Sequence, residues 1–169
     1  MRGSPRGVVK AGDQGGRPIR RRRYGGPITA PLPPPSPDLP GDEAAVADVV
    51  ARFYAAFEAR DLDTMSDLWV HDDRVSCTHP GWAALHGWAA VSASWFAIFD
   101  QSPPLQVFVT EERVHVSGDL SWVTVDENLL GAGAEDGGTT VSALKVLSRE
   151  PAGWRIVAHH GSVVVGRPD

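Results

Sequence analysis

An α+β domain, a curved antiparallel sheet wrapped around three N-terminal helices, is the fold class this sequence predicts, and three observations predict it. Val46, Val49, Val50, Phe53, Tyr54 and Phe57 recur at spacings of three and four, which makes an apolar stripe of helical period. A second aromatic stripe of the same period, Trp88, Val91, Trp95 and Phe99, is stopped by Pro103-Pro104. Beyond those prolines come four strand-like runs, 105–117, 120–130, 139–149 and 154–165. They are separated by Gly118-Asp119, by the Gly/Ala/Asp-rich residues 131–138 and by Pro151-Ala152-Gly153. Consecutive strands with short turns form an antiparallel meander, and helices placed ahead of it in the chain cover one of its faces.

The elements follow in order. Residues 1–40 are rich in Gly, Pro and Arg, have no apolar period and run out through ITAPLPPPSPDLP, a composition that favours extended polyproline geometry over a packed core. The expected organisation is therefore a disordered basic tail over 1–40 and a folded domain over 41–169. Asp42 is placed to cap the first helix, which runs to about Arg60. Asp61-Leu62-Asp63 starts a second, shorter helix over 64–70 that buries Leu62, Met65, Leu68 and Trp69. A strand over 74–78 and a turn at His79-Pro80-Gly81 lead to the third helix, 88–99.

Composition narrows the function classes. With 42% hydrophobic and 22% charged residues the chain is an ordinary globular one. No run approaches the roughly 20 apolar residues of a membrane span, and no apolar segment of a secretory signal precedes the proline cluster. The single cysteine, Cys77, excludes an internal disulfide and fits a reducing compartment, so the expected location is cytoplasmic. The net charge of −5 is unevenly spread: the tail is basic, with Arg20 to Arg23 consecutive, whereas the rest is strongly acidic. An acidic folded part repels phosphate and argues against a nucleic-acid partner.

Several segments together resemble one known superfamily. They are Val49-Val50-Ala51-Arg52-Phe53-Tyr54-Ala55-Ala56-Phe57, Arg60-Asp61-Leu62-Asp63, Leu68-Trp69, Asp72-Asp73, His79-Pro80-Gly81-Trp82, Leu85-His86-Gly87-Trp88, Gly153-Trp154-Arg155-Ile156-Val157 and His159-His160. In that order, over residues 43–165, the chain resembles the nuclear transport factor 2-like superfamily, in its SnoaL-like and ketosteroid-isomerase-like branches. The resemblance implies a cone-shaped fold whose sheet bends around a cavity closed by the helices, and a homodimer formed through the outer face of the sheet. The superfamily hosts isomerases, cyclases, dehydratases, small-molecule binders and plain dimerisation modules, so the fold alone does not choose among them.

The isomerase chemistry lacks its parts. A ketosteroid isomerase uses a carboxylate near the end of the first strand, a tyrosine from the first helix and a protonated acid on a later strand. Here those positions fall at about Thr78 or His79, at about Phe53, and in a strand, 139–149, with no acid. Tyr54 follows Phe53 and is turned about 100° from it around the helix.

The candidate residues are then few. His79, at the mouth of the implied pocket, has an imidazole suited to proton exchange near neutral pH and is the candidate general base. Its structural alternative is to pin the Pro80-Gly81 turn. Asp126 is a candidate acid partner, as is His160; His159 and His160 are adjacent on one strand, so only one of them enters the cavity. Trp82, Trp88, Trp95 and Tyr54 are candidate ligand-binding walls, with core packing the alternative for the helical tryptophans. Cys77-x-His79 is no zinc signature, and the sequence has no Gly-rich phosphate loop, G-x-S-x-G elbow or paired-cysteine motif, so neither metal nor cofactor is implied. The expected function is binding of a small hydrophobic molecule, with isomerase, cyclase or lyase chemistry by proton transfer. The alternative is a non-catalytic association module.

Overall fold

The computed structural model describes residues 37–131 and 138–166. Most of the predicted tail and most of the 131–138 turn lie outside the described residues. Asp38, inside the stretch read as tail, accepts a bond from Gly118 N at 2.7 Å through its Oδ1.

Helix α1, Asp42–Ala59, buries the predicted stripe: Val46, Val49, Val50, Phe53 and Tyr54 all face the sheet. Its start differs from the expectation. Gly41, with φ 89°, occupies the cap position, and Asp42 turns its carboxylate to the sheet instead. There it accepts Arg149 Nη1 and Nη2 at 2.6 Å each and Trp154 Nε1 at 3.3 Å. Helix α2, Leu62–Asp67, is capped by Asp61, whose Oδ1 accepts from Thr64 N at 3.0 Å. It ends before the predicted 70 because the chain bonds Ile156 instead, whose N donates to Leu68 O at 2.8 Å and whose O accepts from Val70 N at 3.0 Å.

Strand β1, Ser76–Thr78, and the two-residue β2, Leu85–His86, precede helix α3, Trp88–Gln101. The meander then runs through β3, Leu105–Ser117, β4, Leu120–Gly131, β5, Thr139–Glu150, and β6, Gly153–Val163. The six strands order as β2-β1-β6-β5-β4-β3. All neighbours are antiparallel except β1 and β6, which pair in parallel, Cys77 opposite His159. That parallel edge was not part of the expectation, because a three-residue strand has too short a pattern to announce its partner.

Two β-bulges set which side chains face inward. The β5–β6 register slips between Val146 and Leu147, so Val157 is the extra residue on β6. Inward positions therefore switch from Trp154 and Ile156 to His159 and Gly161, all four buried. The β3–β4 register slips between Thr110 and Arg113, with Glu111 at φ 54°. This curved sheet packs its inner face, including Val123, Val125, Val141, Leu147 and Ile156, against Trp69, Val91 and Trp95. Each such residue contributes about 1.5–3 kcal/mol on full burial. Its outer face leaves Phe108, Leu120, Trp122, Leu130 and Leu144 exposed. No helix among the described residues is long and apolar enough to cross a membrane.

Candidate active site

The sequence after β1 is made for a tight turn. Trp82 N donates to His79 O at 2.9 Å across Pro80 and Gly81, and Gly81 has φ 81°. Proline second and a left-handed glycine third is the pattern of a type II turn. The turn lies on β6 because Gly161 has no side chain: a Cβ there would come within 3.3 Å of Pro80 and 3.1 Å of Val141. His79 is thereby held 4% exposed at the wall of a cavity of about 280 Å³. Phe53, Phe57, Trp95, Ile98, Leu105 and Leu129 supply the apolar wall, and Tyr54, Glu127 and His159 join His79 as its titratable groups.

The hydrogen bonds of His79 decide its tautomer. Ser94, buried on α3, donates its hydroxyl hydrogen to Val91 O at 2.7 Å, the back-bond that a helical serine commonly makes. Its oxygen lies 2.8 Å from His79 Nε2 and can there only accept. Nε2 therefore carries the proton and Nδ1 the lone pair. The Cys77 thiol lies against the ring, 3.9 Å from Nδ1 and 3.7 Å from Nε2. Burial lowers the His79 pKa to about 4 against the opposing pull of Glu127, so the ring is neutral at neutral pH. Burial also pushes the Cys77 thiol up to about 12, which makes it inert as a nucleophile.

A second group of side chains meets beneath the aromatic wall. Tyr54 donates to Glu127 Oε1 at 2.8 Å, and Lys145 Nζ donates to the same oxygen at 2.9 Å and to Tyr54 Oη at 2.6 Å. Lys145 has no exposed surface and sits 4.5 Å from the ring centroids of both Phe53 and Tyr54. Burial lowers its pKa while Glu127 opposes that shift. Burial, with the charge of Glu127, holds the Tyr54 hydroxyl protonated far above its ordinary range. Both bonds accepted by Glu127 fall on Oε1, which leaves Oε2 as its oxygen for the cavity.

The family profile described as "SnoaL-like domain" matches residues 46–166, which is most of the chain and all of the cavity. The chain belongs to the SnoaL-like domain family. Its fold is that of the NTF2-like superfamily, as relatives of known structure show. A candidate dehydratase of the NTF2-like family from Streptomyces avermitilis is 34% identical, with TM-score 0.69 over 74% of this chain and 97% of that one. A candidate calcium/calmodulin-dependent protein kinase type II association domain from Thiobacillus denitrificans is 38% identical, with TM-score 0.61 over 80% and 99%. The F-box protein SKIP8 of Arabidopsis thaliana is 28% identical over 121 residues, 72% of this chain and 50% of that protein. The chain thus spans about half the length of that curated relative.

Within this SnoaL-like domain the sequence-derived candidates separate. His79, Trp82, Trp95 and Tyr54 line the cavity. Tyr54 does so although Phe53 does too, because the cavity wraps far enough around α1 to take both rings. Asp126 does not reach it: it lies on the outer face with Trp122 and Thr124, and Glu127 takes the inward position in line with Val123 and Val125. His160 likewise points outward and is exposed, while His159 is buried in the cavity wall, the reversal that the Val157 bulge imposes. Trp88 stacks on His71 with ring centroids 4.3 Å apart and lines a separate hollow between α2 and α3. Glu127, Lys145 and Ser94 are not among the candidates the sequence yields. The clue to Lys145 was a lysine in VSALKVL on the same alternation as Val141, Ala143 and Leu147.

Proposed function

We propose that this domain binds a small, largely apolar molecule in the 280 Å³ cavity and acts on it by proton transfer, with His79 as the base. The observation that carries this reading is the convergence of His79 and Glu127 on a space otherwise walled by aromatic and aliphatic side chains. Ser94 directs the lone pair of His79 to Nδ1, and Lys145 with Tyr54 holds the Glu127 carboxylate in place. Glu127 thereby takes the place of His79's partner, for which the sequence offered Asp126 and His160, as a carboxylate that accepts a hydrogen. Trp82, 48% exposed, stands at the open end of the cavity, where it can stack on an entering ring. The relative named as a dehydratase supports a lyase within this scheme. The test is native mass spectrometry of the full chain purified from its source cells. A small-molecule mass that is lost on heating supports the reading, as does loss of turnover in His79→Ala at unchanged melting temperature.

A second reading, the association module, is favoured by a different observation. Trp122 and Leu144, one diagonal step apart, and Phe108 farther along are exposed on the outer face of the sheet, and a 38% identical relative is named as an association domain. We propose a homodimer through that face, compatible with either use of the cavity. Trp122→Asp is expected to shift the sedimentation coefficient from dimer to monomer, and an unchanged coefficient would remove this face from the assembly.

A further inference from the structure

The polar lining of the cavity is lopsided. Tyr54 gives its hydroxyl hydrogen to Glu127 Oε1, and Lys145 directs its N–H bonds to Tyr54 and to that same oxygen. The Tyr54 hydrogen is spent within the wall, and Lys145, with two of its three N–H bonds placed in this way, has no exposed surface with which to meet a ligand. Glu127 Oε2 and the Nδ1 lone pair of His79, which Ser94 keeps unprotonated, are the acceptors that these two lining residues keep. Trp95 Nε1 and His159 Nδ1 have no partner among the described residues and are sealed from the cavity surface, which leaves Nε2 of the lining residue His159 as one further polar atom, able to give or take a hydrogen. Trp82 and Ser102 add an indole N–H and a hydroxyl to the lining.

Charge narrows the ligand further. Lys145 and Glu127 neutralise one another at 2.9 Å, and neutral imidazoles complete the titratable lining. An anionic ligand would meet these acceptors and, among the described residues of the lining, no unpaired cation to replace its water. A carbonyl would meet the same acceptors, the reverse of an oxyanion hole, whose donors converge on the developing charge. Size follows from volume: about 280 Å³ is nearly twice the roughly 150 Å³ apolar cavity that holds benzene, which is room for two fused rings.

We infer that the ligand is an uncharged, ring-sized phenol or cyclic alcohol that enters hydroxyl-first, its O–H donating to Glu127 Oε2 or His79 Nδ1, and is not a ketone, carboxylate or phosphate ester. This rests on the reading of the cavity as a ligand site, and it names the ligand by what the wall lacks.

The test is a titration of the full-length protein, followed by tryptophan fluorescence, with four bicyclic probes of one skeleton: indane, 5-indanol, 1-indanone and indane-5-carboxylate. A donor to a charged acceptor predicts that 5-indanol binds at least about tenfold more tightly than the ketone or the carboxylate. Glu127→Gln, whose amide supplies a donor of its own, should reduce that preference to within about threefold. Ser94→Ala leaves the Lys145–Glu127 pair untouched and frees the imidazole tautomer, so it should narrow the preference by a smaller factor. If Glu127→Gln does not fold, the wild-type series together with Ser94→Ala decides the matter. Ketone or carboxylate binding as tightly as the alcohol would overturn the ligand class while leaving the cavity a ligand site. If none of the four probes, indane included, changes the fluorescence at millimolar concentration, the reading of the cavity falls and this inference with it.

Discussion

Helix α1 is tied to the sheet by two ion-paired clusters about 18 Å apart along its axis, and they are built on opposite principles. At its start Asp42 meets Arg149 in a bidentate pair that Asp119 and Trp154 extend, and the Arg149 side chain keeps 23% of its surface. Water shares the load there, and the pair fixes where the helix begins. In its fourth turn Tyr54 meets Lys145 and Glu127 with the lysine fully enclosed. Apolar residues of similar volume often replace a buried pair of that kind without loss of stability. Stability alone therefore explains the Asp42 cluster and not the Lys145 cluster. On the proposed reading of the cavity, the second one serves the site it borders.

The sharpest way to break that comparison is to unpair the enclosed cluster. Glu127→Ala leaves the Lys145 amine buried without its partner and is expected to cost about 3–5 kcal/mol in urea denaturation. The double variant Lys145→Met/Glu127→Leu should return to within about 1–2 kcal/mol of the parent while losing 5-indanol binding. A single variant costing under about 1 kcal/mol would mean that the pair is wetter than its geometry indicates.

The next effect is in pH. Below about 6.5 the unfolded chain takes a proton on His79 that the folded domain refuses until about pH 4. Stability therefore falls as pH drops through that window, by up to about 1.4 kcal/mol per pH unit for this group. His159, held well below its ordinary range by burial and by the neighbouring Lys145, adds a slope of the same sign. His79→Gln should flatten the stability profile between pH 6.5 and 4 without removing the part due to His159. An unchanged profile would show that His79 is solvated.

The Asp42 cluster should answer to stronger acid. Its carboxyl is held well below the usual range by the Arg149 guanidinium, so its contribution is present above about pH 4 and is lost as pH falls further. Asp42→Asn is expected to lower the melting temperature at pH 7 and to lose less than the parent between pH 4 and pH 2. A parallel loss in both proteins would take the acid sensitivity away from this cluster. The smallest effect on stability belongs to the cavity mouth. Trp82→Ala should stay within about 0.5 kcal/mol of the parent and still weaken 5-indanol binding several-fold.

The helical and strand periods were legible from the chain alone because each is a repeat of local spacing. Val46, Val49, Val50 and Phe53 declare a helix wherever they occur, and Pro103-Pro104 ends one in any fold. The residue types at the turn were equally plain, since Pro80-Gly81 can hardly do anything but reverse the chain and present His79. The tryptophan stripe was legible as a stripe, but not in its division of labour. Trp95 borders both the core and the cavity, whereas Trp88 packs on His71. That division depends on what lies across from each ring.

Which carboxylate and which histidine enter the cavity had to be decided by tertiary structure. Alternation within 120–130 offered two faces, and only the packing of Val123 and Val125 against the helices chose the face of Glu127 over that of Asp126. Counting by twos from Trp154 and Ile156 leads to His160, but one extra residue at Val157 reverses the count and brings His159 inside. Tyr54, Glu127 and Lys145 lie 73 and 18 positions apart and carry no local mark of one another. The amino-acid sequence by itself determined the elements and the apolar stripes, because these are written in spacings of two to four residues. Tertiary structure alone decided the composition of the site, because a bulge and a curved sheet act on the parity of residues far apart in the chain.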